Sequence, residues 1–335
     1  MEKMSEKRRA KLADSLLLLT GVIWGSGFVV MKNALDGIST NYLLALRFTL
    51  AAVGVAIMIL PRLRRLTRKD LFAGLVIGTA LYFAYALQTY GLMYTTAGNN
   101  AFLTATYVVL VPFFMWGIAK VRPDRYNVLA AVVCLIGIGV LSLGGGLSIN
   151  LGDGLTLLCG IFYALHIVAI SYFAKKHDMM VLVMLQFAFC ALWAWGVGGV
   201  SETFPTHFSS QTLWGIAYLG LACTMLALSL QNIGIKYADP SHASLLMSTE
   251  SLFGCLFGCL LLGEPFTVRI FIGTALIFLA VVISETKLSM FKKRYPREHE
   301  KLQAQQARAE DCAHLQHGRA DASAQAAQAG ARKGV

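Results

Sequence analysis

The sequence predicts an all-α polytopic membrane protein: ten transmembrane helices arranged as two inverted five-helix repeats. Three observations predict it. Of the 335 residues, 56% are hydrophobic and only 14% charged, far from the roughly 45–50% and 25% of soluble domains. The apolar residues fall in blocks of about 18–24, the length that crosses a bilayer core of about 30 Å at 1.5 Å per residue. The second half of the chain also repeats the first. Gln231–Phe257 lies without a gap over Gln88–Phe114 at a shift of 143 positions (231 − 88), matching Gln88 with Gln231, Gly91 with Gly234, Tyr94 with Tyr237, Leu103 with Leu246, Thr106 with Thr249 and Phe114 with Phe257. At a shift of 139 (186 − 47), Gly21 falls on Gly160, Trp24 on Tyr163, Leu46 on Leu185, Arg47 on Gln186 and Phe48 on Phe187. The matching segments keep their order in both halves, the signature of an internal duplication.

Taken in order, the first span is Asp14–Met31. It follows a basic start at Lys3, Lys7, Arg8, Arg9 and Lys11. Its apolar run is too long for a signal peptide and no small-residue cleavage site follows, so it reads as a true helix. Tyr42–Leu60, Leu71–Tyr94, Asn99–Ile118 and Tyr126–Leu143 complete the first repeat, and Pro112 is a candidate kink in the fourth span. Gly154–Phe173, Met180–Val200, Leu213–Ile235, Ser241–Leu262 and Phe266–Ile283 form the second. The chain thus divides into an N-terminus at 1–13, repeats at 14–143 and 154–285, and a tail at 297–335. The tail changes to Gln, Ala, Arg and Asp with little apolar content and reads as disordered. Small residues at four-residue spacing (Gly21 with Gly25, Gly74 with Gly78, Gly254 with Gly258) allow close helix approach.

Charge sets the topology. Basic residues gather in alternate loops: the N-terminus, Arg62 to Lys69, Lys120 to Arg125, Lys175 and Lys176, Lys236, and Lys287 to Arg297. The intervening loops hold only Lys32 and Arg269. The positive-inside rule places both termini in the cytoplasm, which ten spans satisfy. The net charge of +11 then follows from topology and contact with anionic headgroups of the lipid bilayer. No aromatic-interleaved basic stripe marks a nucleic-acid partner. Five spans per copy is odd, so the two copies run in opposite senses through the membrane, the arrangement of secondary transporters that bind substrate near the midplane. Cys134, Cys159, Cys190, Cys223, Cys255 and Cys259 lie within spans and suggest neither disulfides nor a metal site; the i, i+4 thiols of Cys255 and Cys259 read as packing. No cofactor motif is found.

Trp24-Gly25-x-x-Phe28-x-x-x-Lys32, Arg47-Phe48 and Thr95-x-Ala97 resemble the EamA repeat of the drug/metabolite transporter superfamily. In the second half, Glu250, Leu262-Gly263-Glu264, Gly273 and Leu276-Ile277 are similar to that family's ninth and tenth helices. The resemblance covers residues 14–285 and implies a ten-helix metabolite transporter of the cell membrane. The family commonly has Glu-Pro in its ninth helix where this chain has Glu250-Ser251, which removes the proline behind an expected kink.

Intramembrane polar groups tend to face a bundle interior or a wet cavity. Glu250 lies about nine residues into its span, roughly 13–14 Å deep. It is either a substrate or proton site or a protonated carboxyl bonded to a neighbouring helix. Tyr107 is its repeat partner. Trp24, Tyr163 and His166 fall mid-span on the two equivalent helices and complete the candidate substrate set. Arg47 snorkels, pairs with a carboxylate or receives an anionic group. Gln88, Asn100 and Gln231 serve the cavity, its coupling, or interhelical bonding. The expectation is a secondary transporter of a small organic metabolite or drug-like compound, such as an amino acid or related amphipathic solute, with proton or counter-solute coupling, acting as monomer or homodimer. No nucleotide-binding Gly-Lys-Ser/Thr loop accompanies it. An embedded enzyme would show His-Glu-x-x-His, Gly-x-Ser-x-Gly or paired intramembrane Asp, and a channel symmetric pore rings.

Overall fold

The computed structural model describes residues 6–120, 122–142, 150–237, 243 and 246–286. Among them no strand occurs. The first half contains α1 (Glu6–Ala34), α2 (Thr40–Met58), the single turn α3 (Leu60–Leu63), α4 (Arg68–Tyr94), α5 (Ala97–Thr104), α6 (Tyr107–Ala119) and α7 (Arg125–Ser142). The second contains α8 (Leu151–Phe173), α9 (Met179–Ser201), α10 (Ser210–Tyr218), a π-helical stretch (Leu219–Leu226), α11 (Ala227–Tyr237), α12 (Thr249–Leu262) and α13 (Val268–Thr286). Among the described residues, seven segments are long and apolar enough to cross a membrane: Lys11–Ala34, Thr40–Met58, Arg68–Tyr94, Ala97–Ile118, Leu151–Phe173, Met179–Ser201 and Ser210–Tyr237. Arg125–Val140, Thr249–Leu262 and Val268–Ala280 are shorter apolar helices. The tail at 297–335, the Gly144–Gly146 turn, His242 and the start of the ninth span at Ser241 lie outside the described residues.

Polar caps start the helices. Thr67 and Asp70 form a reciprocal capping box at α4, and Thr96, Asn150, Asp178 and Ser209 accept from first-turn N–H groups of α5, α8, α9 and α10. Large apolar side chains such as Ile57, Leu135, Trp214 and Leu260 face outward, while Arg47, Asn100, His166, Gln231 and Glu250 are buried. This is the polarity of a chain solvated by lipid: a multi-pass membrane protein.

α1 packs on α12 and α11, α4 on α8 and α9, α2 on α9 and the π-helical stretch, α5 and α6 on α8, and α7 on α13. Gly21 and Gly25 let α1 press on Thr249 and Phe253, and Gly74 and Gly78 let α4 press on α9. The sequence match pairs α1 with α8, α2 with α9, α4 with the α10–α11 segment, α5–α6 with α12, and α7 with α13. Under that pairing α1·α12 maps onto α8·α6, α4·α8 onto α11·α1, and α2·α9 onto itself. The match reaches single contacts. Gly21 abuts the Thr249 hydroxyl, and its counterpart Gly160 abuts the Thr106 hydroxyl.

The fourth span is interrupted between α5 and α6 at Ala105–Thr106 rather than at Pro112, which lies within α6. The Thr106 hydroxyl donates to Leu103 O (2.7 Å) and Val108 N to Ala105 O (3.1 Å). These three-residue closures compete with the regular ladder and break it. The ninth span repeats the device 143 positions on, without a proline. Thr249 donates to Leu246 O (2.8 Å) and Ser251 N to Ser248 O (3.0 Å), and α12 starts immediately after the turn at Ser248. Both half-helices end in left-handed residues at equivalent positions, Lys120 (φ 59°) and Gly263 (φ 65°). The two breaks place Tyr107 and Glu250 in the first turns of α6 and α12.

Candidate functional site

Between the halves lies a small cavity of about 30 Å³. Its wall includes Trp24 and Phe28 from α1, Arg47 from α2, Tyr85 and Gln88 from α4, Tyr107 from α6, Tyr163 and Ile167 from α8, Gln231 from α11 and Glu250 from α12. Four repeat-related pairs therefore line it: Trp24 and Tyr163, Phe28 and Ile167, Gln88 and Gln231, Tyr107 and Glu250.

Three of the polar lining groups, Trp24, Tyr163 and Gln88, are fixed by their neighbours. Trp24 Nε1 donates to Cys223 O (2.8 Å), a carbonyl of the π-helical stretch. The Tyr163 hydroxyl donates to Gln88 Oε1 (2.9 Å), and Gln88 Nε2 donates to Thr104 Oγ1 (3.1 Å). Tyr107 adjoins the Glu250 carboxyl, and its hydroxyl has no partner in hydrogen-bond geometry. Glu250 is only 4% exposed and sits at the N-terminal end of a half-helix, where free N–H groups make the backbone locally positive. Gln231 Oε1 and both side-chain atoms of the adjoining Asn232 are buried without partners, so polar capacity in this region is left over for a ligand or water.

Of the residues expected at a substrate site, Trp24, Tyr107, Tyr163 and Glu250 meet at this wall, as do Arg47, Gln88 and Gln231. His166 does not. Tyr163 and Ile167 set the cavity face of α8, and His166 points away from it to Gln186 of α9, with Nε2 2.9 Å from Gln186 Oε1. Asn100 also lies behind the wall, where its Nδ2 donates to Gln88 O (3.1 Å) and Thr156 Oγ1 (2.8 Å). Tyr85, Thr104 and Cys223 line the cavity without having been singled out by sequence. A tyrosine or threonine inside an apolar span carries no local signal of which way it faces. Among the described residues no cluster of His, Cys, Asp or Glu could hold a metal ion.

Two acidic groups tie down the end of the bundle where α1 leads into α2. Glu264 pairs with Lys32 (3.0 Å) and accepts from Ala97 N (2.7 Å) and Gly98 N (3.1 Å) at the start of α5. Glu202, just beyond α9, accepts from Asn41 N (2.9 Å), Asn41 Nδ2 (2.8 Å) and the Tyr90 hydroxyl (2.7 Å). Burial pushes the Glu202 carboxyl upward, but bonds from Tyr90 and Asn41 outweigh it and hold the group below its ordinary value of 4.5. At the other end Asp70 meets His177 (2.6 Å) and Arg62 meets Asp178 (3.1 Å).

A model of the EamA-like transporter family matches residues 11–143 and 150–286, one copy in each half. An "Uncharacterized transporter" of Archaeoglobus fulgidus is 35% identical over 272 residues, covering 81% of this chain and 85% of its own. The "Uncharacterized transporter YetK" of Bacillus subtilis is 24% identical over 300 residues, covering 82% and 85%. A solved structure described only as "Crystal structure of protein" aligns with a TM-score of 0.63 over 84% of this chain and 99% of that one, at 16% identity. That last likeness is one of fold alone.

Proposed function

The chain belongs to the EamA-like transporter family, and from that premise we propose that it is a secondary transporter of a small organic solute, working by alternating access at the cavity between two inverted five-helix repeats. One observation carries this reading: four repeat-related residue pairs line a single cavity beside two equivalently broken helices. Inverted-repeat transporters place their site at such a repeat interface, where discontinuous helices free backbone groups for the substrate. The three shorter apolar helices bring the span count to ten, with both termini cytoplasmic in a cell membrane. Aromatic and amide walls suit an amino acid or related amphipathic solute, and Glu250 carries a coupled proton or meets a substrate amine. Binding and a change of side suffice for this work, so no residue is given a covalent role.

The test is flux in proteoliposomes, with solutes chosen by screening for metabolites whose accumulation differs between cells with and without the protein. Saturable flux that a competitor suppresses is expected. Flux that rises linearly with concentration would indicate a channel, and chemical conversion of the solute an enzyme; either would overturn the proposal.

A further inference from the structure

We propose that Arg47 is the docking point for a carboxylate on the transported solute, which makes that solute an organic acid or a zwitterion rather than a cation or a neutral compound. The inference rests on the transport reading above and adds the charge of the cargo to it.

Arg47 is 2% exposed and lines the cavity. A guanidinium so placed in a membrane is costly unless an anion or strong acceptors meet it. Among the described residues no carboxylate lies within ion-pair distance of it. Nε donates to Thr224 Oγ1 (2.9 Å), and Nη1 is directed only at Met31 Sδ (3.8 Å), a weak acceptor. Its guanidinium carbon lies over two aromatic rings, 4.7 Å from the centre of Tyr85 and 5.4 Å from that of Phe48. The two ring contacts and the single bond to Thr224 hold the group in place, while most of the five N–H donors have no strong acceptor among the described residues. The Nη fork matches a carboxylate in two parallel bonds.

The bond to Thr224 depends on an irregular piece of backbone. Thr224 lies in the π-helical stretch, and its hydroxyl donates to Leu219 O five residues back (2.7 Å), leaving its lone pairs for Arg47 Nε. Such wider turns recur at functional sites. The repeat-equivalent segment of α4 is regular helix, so this support exists in one half only.

A purely structural tie between helices would not need a charge here. The duplicated position shows it: Gln186, the counterpart of Arg47, joins α9 to α8 through a neutral contact with His166 (2.9 Å). The half that lines the cavity with a cation has departed from that arrangement. Glu250 faces the same cavity without forming an ion pair with Arg47, so the counter-charge is left to the ligand.

The test uses four probes that share a phenyl body: 3-phenylpropionate, L-phenylalanine, phenylalaninamide and 3-phenyl-1-propanol. Affinities are measured by calorimetry on the full chain in lipid nanodiscs. The two carboxylates should bind about tenfold or more tightly than the two probes lacking one, the scale of a charge-assisted hydrogen-bond pair. Arg47→Gln should bring all four within about twofold. Should Arg47→Gln fail to fold, Thr224→Val keeps the charge, loosens its orientation, and should reduce the preference by several-fold. Equal affinities, or no binding by any probe, would overturn the proposal. So would a preference unchanged in the variants, or competition by sodium chloride at the same concentration as the carboxylates, which would assign the site to a small inorganic anion. If reconstituted protein carries saturable flux of carboxylate-free solutes that Arg47→Gln leaves intact, transport stands and the docking role falls. If no solute is carried, the transport reading falls as well.

Discussion

Glu250, a 4% exposed carboxyl in the wall of the cavity, is the residue through which the proposed coupling or amine recognition is tested. Glu250→Gln keeps its shape and removes the charge. If Glu250 carries a proton, the variant should reach the membrane in normal amount and lose the pH dependence of flux. If it meets an amine, apparent affinity should fall by about tenfold, and amine-free analogues should be spared. Wild-type rate, affinity and pH profile in the variant would make the carboxyl structural. Glu250 was legible in the sequence because nothing else charged stands near it, and Tyr107, Gln88 and Gln231 because the duplication aligned them. Orientation was not legible. His166 lies one position from Ile167, and 100° of helical rotation turns it from the cavity to Gln186. Thr224 was missed because its position depends on a widened turn with no compositional mark.

Among the elements, the fourth and ninth spans are both interrupted, whereas the sequence offered a kink only at Pro112 and, with Glu250-Ser251 in place of Glu-Pro, none in the ninth span. The ladder is instead broken by Thr106 and Thr249, whose hydroxyls take the carbonyls of Leu103 and Leu246. Threonine in an apolar helix is too common for that role to be read without coordinates. Helix starts tie elements together in a way that can be measured. Glu202, at the end of α9, satisfies the N–H groups of Asn41 and Tyr42 in the first turn of α2 (2.9 and 3.3 Å). Its carboxyl is held below 4.5 in the fold, so the folded state binds that proton more weakly than the unfolded chain. The stabilisation is therefore complete above about pH 4.5 and is lost as pH falls through the lower, folded value. The thermal midpoint of the purified protein should drop through that acid range. Glu202→Gln should show a lower midpoint at neutral pH and a shallower acid limb. Parallel acid limbs in the two proteins would remove Glu202 from this role.

At the scale of the whole molecule, the ordered match between halves, at shifts of 139 (186 − 47) and 143 (231 − 88), is the feature that composition alone could not supply. The shifts read from identities also relate features that are not identities: the Gly21–Thr249 and Gly160–Thr106 contacts, the left-handed ends at Lys120 and Gly263, and the two faces of one cavity. A hydropathy profile would have counted apolar blocks and left their mutual arrangement open. The number of crossings depends on Arg125–Val140, Thr249–Leu262 and Val268–Ala280, each shorter than the seven others. If all three cross, each repeat has five spans and the halves face opposite sides. In a cysteine-free background, Asp36→Cys, His207→Cys and Phe266→Cys should then react with an impermeant thiol reagent added to intact cells. Thr67→Cys and Lys176→Cys should react only after the membrane is opened. Asp36 and His207 are the decisive pair, since they follow the first span of one repeat and the second span of the other. Those connections share a side only when the copies are inverted; protection of His207→Cys in intact cells would make the repeats parallel and remove the basis for alternating access about a shared axis.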